Sequence, residues 1–230
     1  MAPEPFWSRY ILYDYSFSDF SPMTCVVDVG CGRGAQLEQV VGRSCRAIGV
    51  DLDGETLAVS AKRGLAVVRA RAETLPFRTG SFGGLICKVV LPYTDETRTL
   101  GELARVLAPH GTAFVCSHGP GYYLRCLLGS PLWKERFYGL RAIINTWLYA
   151  ILGFRLPGFL GDTVYQTRGR LGRAYRRLGL RLVEDTRSPS FMGLPVFIYQ
   201  KLERAQKPTL TPPATIPERL EADRRRRTDV

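Results

Sequence analysis

Histidine occurs only twice in the 230 residues, at positions 110 and 118. None of the six cysteines has another three positions away, and no histidine stands at zinc-ligand spacing from them. The common zinc motifs are therefore excluded, no disulfide framework is suggested, and no metal is expected. Several of the cysteines lie in apolar runs and read as small buried hydrophobes. The opening Met-Ala-Pro-Glu-Pro, with Asp14 and Asp19 soon after, lacks the basic start and apolar core of a signal peptide. A cytoplasmic protein is the expectation. The longest apolar run, Tyr138–Phe154, is shorter than a membrane span requires and contains Arg141 and Asn145. It reads as a buried or interfacial cap helix. No internal repeat is present.

What is there suits one domain with a well-buried core: 45% of the residues are apolar and 23% charged. Lys and Arg number 32 against 21 Asp and Glu, and the excess is unevenly placed. Residues 1–118 are balanced, residues 119–187 carry a net +8, residues 188–200 carry no charge, and the remainder adds +3. Two readings stand side by side: an anionic partner on the substrate side, or an Arg-rich solvated surface.

The first half alternates β-type apolar runs with helical patterns, the mark of a parallel α/β sheet. Expected strands are Cys25–Val29, Ala47–Val50, Leu65–Val68, Leu85–Leu91 and Thr112–Cys116. Helices are expected over Ala35–Val41, after a cap at Asp53, and over Thr97–Leu107, the last ended by Pro109 and Gly111. The rhythm then breaks. Residues 119–165 read as an inserted helical cap, Arg170–Leu178 as a further helix, and Arg181–Glu184 with Val196–Leu202 as a closing strand pair. An N-terminal helical segment (1–23) and a disordered basic tail (203–230) flank a domain over 24–202. The fold class expected is α/β: a Rossmann-like, mostly parallel seven-stranded sheet with helices on both faces.

The first strand runs into Asp28-Val-Gly30-Cys-Gly32-Arg-Gly34. Glycines here let the turn take unusual dihedrals and let a ligand approach bare backbone at a helix start. Dinucleotide-binding folds use a similar loop, but their spacing is G-x-G-x-x-G. Here the spacing is G-x-G-x-G after an acid, and Asp51 closes the second strand where a carboxylate can accept ribose hydroxyls.

VVDVGCGRG (26–34) followed by IGVDLD (48–53) resembles the opening of the class I S-adenosylmethionine-dependent methyltransferases, especially the branch serving small molecules, quinones and lipids. Further blocks are similar in order and spacing: Ala72-Glu73-Thr-Leu75-Pro76-Phe77, then Ser81-Phe82-Gly83 with LICKVVLPY (85–93), then Glu102 to Gly111. The resemblance implies S-adenosyl-L-methionine as cofactor. It implies that Gly30, Gly32 and Gly34 cradle the methionine part, with Asp28 fixing either the loop or the ammonium. It also implies that Asp51 binds the ribose, Leu52 packs on adenine, Ala72 and Glu73 lie by the adenine edge, and Lys88 and Val89 approach the sulfonium. Three positions depart from the pattern. Arg71 stands where many relatives have an Asp that accepts from the adenine amino group, Gly83 replaces an Asp, and His110 replaces a Gly.

Ligands of an open parallel sheet sit at the carboxyl ends of its strands. That sends His110 to the far edge and His118 to the substrate mouth, so His118 is the general-base candidate, followed by Tyr93, Asp95 and Glu96. The cap aromatics suggest an apolar pocket. The function expected is methyl transfer to a small-molecule or lipid-like acceptor, by O-methylation. An RNA methyltransferase and a non-catalytic S-adenosylmethionine-binding protein are the alternatives. Nucleic acid is disfavoured as a partner because KVVLPY is not an Asn-Pro-Pro-aromatic motif and no RNA-binding module is recognisable. Peripheral membrane contact through the Arg-flanked apolar run of the cap fits the same reading.

Overall fold

The computed structural model describes residue 20 and residues 24–42, 46–186 and 189–205. The chain runs β1 (Cys25–Val29), α1 (Ala35–Gly42), β2 (Arg46–Asp51), α2 (Gly54–Lys62), β3 (Val67–Arg69), β4 (Phe82–Lys88), α3 (Glu96–Val106) and β5 (Leu107–His118). It continues through α4 (Pro120–Gly129), α5 (Trp133–Leu152), α6 (Arg168–Arg177), β6 (Leu180–Thr186), β7 (Ser190–Phe191), β8 (Leu194–Pro195) and β9 (Phe197–Arg204).

Seven strands form one sheet in the order β3-β2-β1-β4-β5-β9-β6. The first five pair in parallel, and β9 runs antiparallel to both β5 and β6. Parallel neighbours need a crossover, and helices supply it. A strand covered on both faces is mostly apolar, and Val26, Val27 and Val29 of β1 are all fully buried. The main core lies on one face, around Val27, Leu85, Leu103 and Leu171. A smaller one on the other face joins Phe20, Val26, Val40, Ile86 and Phe114. Chain order reverses between β1 and β4, which opens the crevice typical of such sheets at their carboxyl ends.

Several boundaries differ from expectation. Strand β3 starts at Val67, two residues late. Strand β4 begins at Phe82 and stops at Lys88, where Leu91 had been expected. Its start was obscured by Gly83-Gly84, which looks like a turn. Gly84 is instead a packing site, since a Cβ there would meet the Phe20 ring at 2.6 Å. Its end is set by Val89, whose φ of 59° leaves the extended region, and a 3-10 turn over Leu91–Tyr93 follows.

Helix α3 ends at Val106 and β5 starts at once, so Pro109 and Gly111 lie inside a strand expected to begin at Thr112. The register slips there, between Phe82↔Leu107 and Gly84↔Thr112, and His110 takes φ 60° in the irregular stretch. A proline is tolerated at such a bulge because no ladder hydrogen bond is asked of it. The β7–β8 hairpin was not anticipated. Its central pair, Met192 and Gly193, both have positive φ, as a two-residue turn between right-twisted strands requires. Strand β9 runs to Arg204, two residues past the expected domain end. The expected N-terminal segment (Phe20 apart) and the tail from residue 206 lie outside the described residues.

The cap expected over 119–165 is made of α4, α5 and a 3-10 turn at Gly158–Leu160. No helix among the described residues is long and apolar enough to cross a membrane.

Candidate active site

The turn after β1 is held by backbone and by β2. Gly30, Gly32 and Gly34 have φ of 78°, 51° and 79°, values that side chains disfavour. The N–H groups of Gly30 and Cys31 both donate to the Val50 carbonyl, at 2.7 and 3.1 Å. Gly32 N–H donates to Asp51 Oδ2 at 2.8 Å, and Asp53 N–H donates to Asp51 Oδ1 at 3.0 Å. Ser60, fully buried on α2, donates its hydroxyl to the Gly32 carbonyl at 3.0 Å. A Cβ on Gly30 would lie 2.1 Å from Val90 Cγ2 and one on Gly34 would lie 2.4 Å from Leu65 Cδ1, yet no described residue stands within 4 Å of one on Gly32. Only the middle glycine faces open space.

Two cavities meet over this turn. One of about 300 Å³ is lined by Asp51, Leu52, Arg71, Ala72 and Glu73. The other, of about 840 Å³, is lined by Asp28, Cys31, Arg33, His118, Tyr122 and Phe197 among others. Gly30, Lys88, Val89 and Tyr93 line both. The structure thus brings His118, Tyr93 and every expected cofactor residue except Gly32 and Gly34 onto a cavity wall; those two belong to the adjoining turn, and Asp95 and Glu96 line neither cavity. Val89 sits where the cavities join with its backbone in the left-handed region, held by donation of its N–H to the Cys116 carbonyl at 2.7 Å. Such strain in a β-branched residue is characteristic of functional sites.

Asp28 sits mid-sheet between Gly49 and Ile86 and is 2% exposed. Burial raises its pKa to about 7, Lys88 opposing and Asp51 adding to the shift. Its Oδ2 has no hydrogen-bond partner among the described residues. A buried carboxylate oxygen without a donor is costly, and beside a cavity it suits a cationic ligand group. These features fit the cofactor of the resembled family: an acceptor for an ammonium, an open backbone cradle at Gly32, and a carboxylate at a second cavity of nucleoside size.

His118 ends β5, and its register partner on β9 is Phe197. The imidazole stacks on Tyr122 at 3.8 Å between ring centroids and lies 3.3 Å from the Tyr123 hydroxyl through Nδ1. Burial lowers its pKa to about 3, so the ring is neutral at any working pH. Tyr93 and Tyr138 join hydroxyls at 3.0 Å, closing the turn after β4 onto the cap.

The other base candidates have structural roles. Asp95 caps α3 by accepting from Arg98 N–H at 3.1 Å. Glu96 is buried and holds Arg170, with Nε at 3.1 Å and the second contact at 2.8 Å. Among the described residues no cluster of ligating side chains suits a metal. Burial pushes the thiols of Cys31 and Cys116 up to about 12, so they stay protonated.

Sequence reasoning missed Phe197 and Tyr199 on the larger cavity and Ser60 beneath the loop. The two aromatics alternate along a strand that folds back against β5. Their i, i+2 spacing was visible, but not the face they would occupy.

Residues 27–115 match the family model described as a methyltransferase domain. Two curated relatives are similar over this stretch. Bacillus subtilis YodH, named an uncharacterized methyltransferase, is 36% identical over 98 residues, covering 40% of this chain and 42% of its own length. Mouse "Probable tRNA methyltransferase 9B" is 34% identical over 101 residues, covering 42% of this chain and 22% of its own. The chain therefore spans less than half of either relative. Among solved structures, an S-adenosylmethionine-dependent methyltransferase from Mesorhizobium loti superposes with a TM-score of 0.62 at 17% identity, covering 82% of this chain and 94% of its own. A chain of the complex that holds the Haloferax volcanii Trm112 methyltransferase activator superposes at 0.61 with 16% identity, covering 87% and 92%. At such identities these likenesses speak for the fold. Residues 27–115 thus match a methyltransferase domain, to which the chain adds a helical cap and two closing strands.

Proposed function

We propose that the protein moves a methyl group from S-adenosylmethionine to a small, fairly hydrophobic acceptor held in the larger cavity, with oxygen as the receiving atom. The observation that carries this reading is the 840 Å³ cavity walled by His118, Tyr122, Tyr138 and Phe197 and sharing Gly30, Lys88, Val89 and Tyr93 with the smaller one. A mostly apolar wall of this kind binds apolar ligands, and polar groups set in it, here including Asp28, Arg33 and Lys88, orient them.

The roles follow from position. Asp51 receives the ribose hydroxyls on the lone pairs left after the Gly32 and Asp53 bonds, Leu52 covers the adenine, and Ala72 with Glu73 borders its edge. Asp28 takes the ammonium while Gly30, Gly32 and Gly34 keep the backbone bare beside it. The bound cofactor supplies an electrophilic sulfonium methyl. Holding two reactants in line provides most of the rate gain in such a reaction. A neutral imidazole with its pKa near 3 is a weak Brønsted base. His118 therefore acts chiefly by orienting the acceptor's hydroxyl and receiving its hydrogen bond. The exposed Arg71, 3.6 Å from Glu73, leaves Glu73 as the acidic side chain at the adenine end.

A second reading, RNA methylation, draws on the Arg173, Arg176 and Arg177 cluster of α6 and on the name of the mouse relative. Labelled methyl transfer into a small-molecule extract and into total RNA separates the two. Label in the organic fraction and none in RNA is expected. The converse overturns the first reading.

A further inference from the structure

Helix α5 carries its side chains inside out. The residues it buries are Gly139, Ala142, Asn145 and Thr146, small or polar. Gly139 brings the backbone so close to α4 that a Cβ would lie 2.5 Å from the Tyr123 carbonyl. Its exposed face presents Trp133, Phe137, Leu140, Ile144, Trp147 and Ile151. The intervals alternate four and three, so the six form one stripe, about 27 Å long at 1.5 Å per residue. Trp133 and Trp147 are each 71% exposed and Ile151 64%. Phe159 extends the stripe, its ring 5.8 Å from that of Phe137, and Phe154 and Leu160 are exposed beyond the helix end. A soluble monomer rarely leaves so large an apolar surface uncovered.

Charge identifies the occupant. The stripe has no acidic member, and residues 142–152 carry no charge at all, while Lys134 and Arg136, with Glu135 between them, flank its start. Arg170 of α6, paired with Glu96, also stands over the Tyr149 ring of α5 at 5.3 Å. A second copy of the chain would set one +8 segment against another. An anionic lipid surface matches both properties at once, taking Trp and Phe at the headgroup boundary and cations around them.

We propose that α5 docks the protein on anionic bilayers, lying along the interface with its apolar stripe inserted. This deepens the functional reading above and rests on it for the source of the acceptor. Lys134, Glu135 and Tyr138 of the same helix line the larger cavity, so an acceptor dissolved in the bilayer reaches that cavity along α5.

Binding is tested without turnover. The full chain is sedimented with vesicles of phosphatidylcholine and phosphatidylglycerol in equal parts, and with phosphatidylcholine alone, while tryptophan emission is followed. Sedimentation with the anionic vesicles and a blue shift are expected. Trp147→Asp and Phe137→Asp should each weaken partitioning by about tenfold or more. Arg136→Glu should weaken it by roughly fivefold. Melting temperature and S-adenosylhomocysteine affinity like those of the parent verify that each variant is folded, and Phe137→Asp stands in if Trp147→Asp is not.

The proposal fails if the parent ignores anionic vesicles, or if folded Trp147→Asp binds them like the parent. It also fails if the parent sediments as a dimer without lipid and Trp147→Asp is monomeric, because a second copy then covers the stripe. Binding that appears only after residues 1–19 are deleted would assign the stripe to that segment and equally overturn it. Vesicle binding without methyl transfer to hydrophobic acceptors would leave the docking intact and remove the functional reading alone.

Discussion

Asp51 and Gly32, 19 residues apart in sequence, are joined by a 2.8 Å hydrogen bond from the glycine N–H to the carboxylate. The residue proposed to receive the ribose therefore also fixes the loop proposed to receive the methionine.

Asp51→Ala should cost cofactor affinity twice over, by losing the ribose acceptor and by freeing Gly32. A loss of about 2–4 kcal/mol in S-adenosylhomocysteine binding is expected for charged hydrogen bonds of this kind. Calorimetric titration measures it, and unchanged affinity would remove Asp51 from the site.

The three loop glycines should separate stability from binding. Gly32→Ala puts a methyl into open space at a φ of 51°, so folding should lose only about 1–2 kcal/mol while cofactor affinity drops. Gly30→Ala drives a methyl into Val90 and should lower the melting temperature far more. Equal melting temperatures for the two variants would contradict this geometry.

Asp28 gives a pH signature. Its folded pKa of about 7 lies above the ordinary value of 3.8. Between those values the folded state binds the extra proton, so stability without ligand should fall as pH rises from about 4 to 7. Asp28→Asn should flatten that slope. Cofactor affinity should run the opposite way, rising towards pH 7 as the carboxylate ionises, and calorimetry at several pH values reads it.

His118→Ala should slow methyl transfer while leaving S-adenosylhomocysteine affinity nearly unchanged. Because burial holds the imidazole pKa near 3, the parent's rate profile should show no histidine limb at the ordinary value of about 6.5. A limb there that vanishes in His118→Ala would show that the ring titrates during turnover and acts as a conventional base.

Truncation after Ala205 should leave melting temperature and cofactor affinity intact. Truncation after Glu203 should not. Arg204 donates to the Arg105 and Leu107 carbonyls, and Ala205 N–H reaches the Gly179 carbonyl at 2.9 Å. Thermal melts of both truncations decide it.

The parts of this fold legible in sequence are those enforced locally. An acid followed by G-x-G-x-G leaves few backbone options, Asp53 announces a helix start, and β1 must be covered on both faces because it is apolar apart from Asp28. What could not be read depends on distant partners. Gly83-Gly84 looks like a turn until Phe20 is seen packing on it. Pro109 looks like a helix stop until the bulge places it within β5. His118 was placed at the right strand end, but its neutrality comes from burial by Tyr122, Tyr123 and Phe197, and no local pattern reports that. Asp95 and Glu96 looked like site carboxylates because the sequence does not reveal the cap of α3 or the arrival of Arg170.

Strand β9, the last described strand in the chain, is the sixth of seven in the sheet, between β5 and β6. During synthesis β5 must therefore wait with an open edge, and the wall holding Phe197 and Tyr199 cannot exist, until almost the whole domain has left the ribosome. Domains that close through distant pairings fold late and are exposed to mispairing meanwhile. Premature termination anywhere before β9 should thus yield an aggregating fragment in place of a smaller working enzyme.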